Sequence, residues 1–222
     1  MNAASTAPTS IHRRAADIAY DRIESLISRL QIQPGSPVVE AELAERTGLG
    51  RTPVREALMR MVASGLILQQ PRRGMVVSHI DAMEHMDILH TRRVLECLIA
   101  SNAARRATEE QRKNILVCAK KMVAAGHKGN LDDYMAADQA LDHVIHAACG
   151  NPSAVKALAP LVVQCRRFWY AYQRDGETAQ AAQHHLTLAQ AIAQGDAAQA
   201  AQAAHTLMDY LEHYAKNAVV SR

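Results

Sequence analysis

The stretch Glu42–Leu68, ELAERTGLGRTPVREALMRMVASGLIL, constrains the fold more than any other part of the chain. It reads as a helix, a tight turn at Thr47-Gly48-Leu49-Gly50, a second helix and the start of a strand. The second helix opens on Arg51-Thr52-Pro53. Thr52 is expected to cap it, and Pro53 to take the first helical position, where a missing N–H costs nothing. Arg51 and Arg55 then lie near the positively polarised end of that helix. An arginine-led helix held by a glycine turn against another helix is the arrangement of a DNA-reading helix-turn-helix. The bland alternative is an ordinary pair of packed helices.

The residues after this pair argue against the bland alternative. Leu66-Ile67-Leu68 and Met75-Val76-Val77 are short apolar runs separated by Gln69-Gln70-Pro71-Arg72-Arg73-Gly74. Two strands joined by a basic, Gly-ended turn predict a hairpin, or wing. Its tip suits a phosphate backbone or a minor groove. Charge agrees. Residues 1–80 hold ten Arg and no Lys against seven acidic residues, so the whole net charge of +3 resides there. Within 50–80 there are five Arg and one Glu, a local basic face of the kind nucleic-acid binding needs.

The rest of the chain is helical in pattern. A helix over about Arg14–Leu30, with Ile18, Ile23, Leu26 and Ile27 as apolar positions, precedes the helix pair and ends at Gln33-Pro34-Gly35-Ser36-Pro37. From Asp81 onward, helices are expected near 82–106, 109–125, 131–149, 153–172, 178–194 and 197–217. Thr108 with Gln111 makes a capping box, Asn130 caps the third of these helices, Gly150-Asn151-Pro152 breaks the chain and Ser153 restarts it. The fold expected is mainly α: an N-terminal winged helix-turn-helix domain followed by an all-α antiparallel six-helix bundle. The expected boundaries are a disordered tail at 1–12, a first domain at 13–79 and a bundle at 80–218.

Other classes are disfavoured. Apolar content of 49% places the chain among globular proteins. No apolar run approaches the length that spans a membrane, and MNAASTAPTS lacks the apolar core of a signal peptide, so a cytoplasmic protein is expected. Cys97, Cys118, Cys149 and Cys165 form no C-x-x-C pair and read as small core residues in a reducing compartment.

The informative anomalies lie in the bundle. On a helix over 131–149, Leu131, Met135, Leu141, Ile145, Ala148 and Cys149 form the apolar stripe, and Asp138 and Asp142 fall in its middle. Two carboxylates there repel each other and lose hydration. A metal, a bound cation, an arginine or a polar cavity must offset that. His185 lies on the inner face of its own helix with Ala182, Ala189 and Ile192. Carboxylate and imidazole donors together suit Zn, Mn, Ni or Fe. Arg92, four residues from Glu96, is either half of a structural ion pair or the anchor of a carboxylate ligand.

From about Arg14 to Tyr214 the chain resembles the GntR family of bacterial transcription regulators, in its FadR-type branch with an all-helical FCD effector domain. LAERTGLGRTPVREALMRMVASGLI, RRGMVV and PGSPVVEAELAE carry the resemblance. It implies DNA contacts by Arg51, Thr52 and Arg55, and by Arg73 and Gly74 at the wing tip. Gly50 stands where the family usually has Ser, and Ala41 where a polar or basic residue is frequent. It also implies a divalent metal held by an Asp and three His. Asp138 matches the Asp, Asp142 occupies the first His position, His185 matches the second, and the third falls at Leu207. Zn, Mn or Ni is therefore the implied cofactor of Asp138, Asp142 and His185, with Arg92 lining the effector cavity.

The expected function is a homodimeric, sequence-specific regulator of a metabolic operon, by family habit a repressor. It would bind an inverted-repeat double-stranded operator and answer to a small carboxylic or sugar-acid effector. The alternatives are a bundle that only dimerises and, from another class, a metal-dependent enzyme domain. The sequence lacks the paired Glu-x-x-His motifs that a di-metal bundle enzyme would use.

Overall fold

The computed structural model describes residues 14–72, 74–174 and 176–220, except for the side chains of the last two. The expected tail at 1–12 and the wing residue Arg73 lie outside them. The chain divides into two compact units, one up to residue 27 and from 32 to 78, the other from 79 onward with 28–31.

The first unit contains α1 (Ala15–Ser28), β1 (Pro37–Val38), α2 (Glu40–Thr47), α3 (Arg51–Ala63), β2 (Ile67–Gln70) and β3 (Gly74–Val77). Its core joins Ile23 and Ile27 of α1, Leu43 of α2, Val54, Leu58 and Met61 of α3, and Ile67 and Val77 of the sheet, all buried. α2 ends at Gly48, whose φ of 64° is a conformation that side chains resist. The N–H groups of Gly48 and Leu49 close the turn on Glu45 and Ala44. The sheet has the order β1-β3-β2, antiparallel throughout, and Gln70 faces Gly74 across the wing. β1 is an addition to the expected hairpin. Pro37 opens this two-residue edge strand, a position where proline is tolerated.

The second unit is the expected bundle: α4 (Ala82–Arg106), α5 (Glu109–Lys128), α6 (Leu131–Cys149), α7 (Pro152–Tyr172), α8 (Glu177–Gln194) and α9 (Ala197–Val220). α4 is central, packed on α6, α7, α8 and α9, while α5 packs on α6 and α8. Asp81, the Thr108–Gln111 box, Asn130 and Asp196 each satisfy the free N–H groups of a helix start. At α7 the cap is Asn151, which accepts from the Ala154 N–H, with Pro152 next, so Ser153 is not the restart. All four cysteines are free thiols. No helix among the described residues is long and apolar enough to cross a membrane.

Candidate functional site

α3 buries Val54, Ala57, Leu58 and Met61, and by helical periodicity turns Arg51, Thr52, Arg55 and Met59 outward. The helix is anchored to α1, because the Arg60 guanidinium lies 2.8 Å from Asp17 and 4.5 Å from the Tyr20 ring centroid. It starts two residues earlier than expected. Gly50 is its N-cap, without a side-chain bond, and Thr52 lies inside the first turn. Thr52 is therefore no cap. Its exposed hydroxyl belongs to the same face as Arg51 and Arg55. Pro53 still falls among the N–H groups that lack intrahelical partners. On the wing, the exposed Pro71 and Arg72 (φ 64°) and Gly74 (φ 74°) form the described part of the turn.

Arg55 is already engaged. Its Nε and Nη2 donate to both carboxylate oxygens of Glu40, at 2.7–3.1 Å. These hydrogen bonds hold the Glu40 carboxyl below its ordinary range. Such a fork fixes the guanidinium plane and spends the donors on that one edge. Sequence spacing could not reveal Glu40, which precedes Arg55 by fifteen residues and lies on another helix.

In the second unit, the anomalous polar residues do converge. Asp138 and Asp142 lie one turn apart on α6, and Arg166 of α7 reaches between them. Its Nε donates to Asp138 Oδ2 at 2.9 Å and its Nη2 to Asp142 Oδ2 at 2.8 Å. His185 of α8 stands on the other side of Asp138, its Nε2 3.6 Å from Oδ1. His185 Nδ1 lies 2.9 Å from the Ala181 carbonyl, which suits a proton on Nδ1. Arg92 of α4 donates through Nε to Glu96 at 2.8 Å, both side chains buried. Burial works to raise the Asp138 pKa, but Arg166, His185 and Arg92 outweigh it and hold this carboxyl low. Burial and then the Asp138 charge raise Asp142.

These groups surround a cavity of about 20 Å³ lined by Arg92, Asp138, Arg166 and His185, with Tyr134 and Trp169 among its apolar walls. Trp169 is the single tryptophan of the chain and stacks on Tyr214 at 4.3 Å. The volume holds a water or two and no more. Arg166 is the residue that sequence reasoning misses. An arginine among the apolar positions Val162, Cys165 and Trp169 is its signal, and nothing in the sequence shows that it faces α6.

A resident metal does not match this donor set. Asp138 and His185 converge, but Asp142 turns its Oδ2 to the guanidinium and Leu207 offers no lone pair. Among the described residues no three His, Cys, Asp or Glu side chains are grouped to hold an ion. Metal sites of this kind use three or four protein ligands. His146, one turn beyond Asp142, lines a separate open groove with His143 and Asn151.

Comparison with known proteins agrees with this architecture. The helix-turn-helix transcriptional repressor RspR of Escherichia coli K12 is 33% identical over 107 residues, 48% of this chain and 47% of RspR. The E. coli repressor GlaR is 29% identical over 136 residues, 60% of this chain and 62% of GlaR. The chain thus spans between about half and three-fifths of the length of these curated relatives. The solved structure of E. coli McbR/YncC superposes with a TM-score of 0.78 at 18% identity, over 94% of this chain and 97% of that one, a likeness of fold. A GntR regulator structure from Rhodococcus gives 0.69 at 16% identity, over 93% and 98%. The relatives are named as transcriptional regulators, which sets the metalloenzyme reading aside. The model of the gntR family of bacterial regulatory proteins matches residues 15–77 and that of the FCD domain residues 87–210, and the chain belongs to this family of bacterial regulatory proteins.

Proposed function

We propose that the protein is a homodimeric transcription repressor of a metabolic operon in the cytoplasm, controlled by a small organic acid taken up in the helical unit. The observation that carries the DNA half is the outward face of α3, where Arg51, Thr52 and Arg55 stand together at a helix N-terminus. Two such helices would meet successive major-groove faces of an inverted repeat. Arg51 and Arg55 would read base edges, guanines by the geometry of the guanidinium, while Thr52 and the wing with Arg72, Arg73 and Gly74 would hold phosphates. Exposed Val94 and Leu98, one turn apart on α4, support pairing with a second copy.

The effector half is supported by the polar cavity. Two guanidinium groups face it beside an aromatic wall, which suits a carboxylate on a compact apolar body. At about 20 Å³ it admits such a ligand only if its walls move. That requirement is what couples binding to a change of state.

Two experiments test the halves separately. With an operator obtained by in vitro selection, Arg55→Ala is expected to weaken binding roughly 10- to 100-fold and to relax preference at one base. Unchanged affinity removes Arg55 from the readout. For the cavity, small carboxylic and sugar acids are titrated while Trp169 emission is followed. A saturable change that also lowers operator affinity supports the acid, and no change with any acid favours a bundle that only dimerises.

A further inference from the structure

We infer that Arg166 is the built-in cation of this site, standing where a divalent metal would otherwise balance Asp138 and Asp142, and that the effector carboxylate meets guanidinium groups instead of a metal ion. The ligand class rests on the organic-acid reading above; the role of Arg166 does not.

Arg166 gives Nε to one carboxylate and Nη2 to the other, both within 3 Å, from a side chain only 11% exposed. Buried carboxylates need this kind of paired, hydrogen-bonded partner. A planar fork serves two acceptors at fixed angles, which a lysine ammonium does not. A divalent ion bridging the same oxygens would sit against the guanidinium, and like charges at such separations in a buried site repel strongly. The metal alternative is also short of donors, with Leu207 at the third imidazole position. Arg92 lines the cavity together with Arg166, so a carboxylate entering it meets two cationic forks.

The test uses the full-length protein. Metal content is measured after EDTA treatment and after incubation with Zn, Mn or Ni, together with calorimetric titration and thermal melting for each metal alone. The wild type is expected to take up no stoichiometric metal and to melt at the same temperature with or without it. Arg166→Met, which leaves the two carboxylates without their cation, is expected to bind Mn or Zn at least tenfold more tightly than the wild type and to melt higher in its presence. Adding Asp138→Asn should abolish that gain. Arg166→Lys keeps the charge and should gain nothing.

One equivalent of metal in the wild type, lost in His185→Ala, overturns the inference. So does a folded Arg166→Met that takes up none. If that variant does not fold, the wild-type titration decides alone. An acid that raises the wild-type melting temperature in EDTA supports both readings. An acid response that EDTA abolishes overturns the metal-free site and leaves the organic acid standing. No response to any acid in a metal-free wild type sinks the organic acid and leaves Arg166 as the cation.

Discussion

His85 lies flat on Phe168, with ring centroids 3.8 Å apart and planes within 2°, and is 5% exposed. Burial, then the nearby charge of Arg92, lowers its pKa from 6.5 to about 4. Between those values the unfolded chain takes up a proton that the folded chain refuses, so stability falls as pH drops from 6.5 towards 4. The loss amounts to about 3 kcal/mol across the window. Denaturant melts at stepped pH should show it, and His85→Phe should flatten that part of the profile. A second residue-scale consequence concerns Glu40. Because it holds Arg55 in a fork, Glu40→Gln should free the guanidinium and remove a negative charge beside the proposed DNA-reading face. Non-specific binding should then strengthen while the ratio of operator to non-specific affinity falls. Competition binding at two salt concentrations measures both.

At the scale of elements, α5 and α8 are set close by one glycine. A Cβ on Gly126 would lie 2.7 Å from the Thr178 carbonyl oxygen, and the Thr178 hydroxyl donates to the Gly126 carbonyl at 3.1 Å. Alanine is the better helix former by about 1 kcal/mol, yet here the obstacle is backbone that must shift. Gly126→Ala is expected to destabilise the protein by about 1–3 kcal/mol in thermal or urea unfolding. The caps make the helix boundaries legible. Thr108 with Gln111, Asn130 and Gly195 are local signals, and a chain read in sequence order contains them whole. What stays hidden depends on distant partners. β1 exists only because β3 lies beside Pro37 and Val38. The start of α3 slips by two residues because glycine at position 50 supplies the extended backbone of a cap without a side chain. Asp138 and Asp142 announce a compensating charge, and α6 alone does not say which helix supplies it.

At the scale of the whole molecule, the excess positive charge belongs to the first 80 residues, and the remainder is balanced. The proposed dimer adds a condition, since a two-fold operator rewards a protein only when both recognition helices arrive together. Val94→Asp with Leu98→Asp should give a monomer in sedimentation, with helix content intact and operator affinity down at least tenfold. A dimer that survives the change moves the interface elsewhere. The position of Arg166 has a consequence for the setting in which such a regulator works. A bound ion is in exchange with its surroundings, and its occupancy follows supply and competing chelators. A guanidinium carried by α7 is part of the chain and has no dissociation rate, so a cation stands between Asp138 and Asp142 from the moment the bundle folds. It stays there whether metal is scarce or abundant.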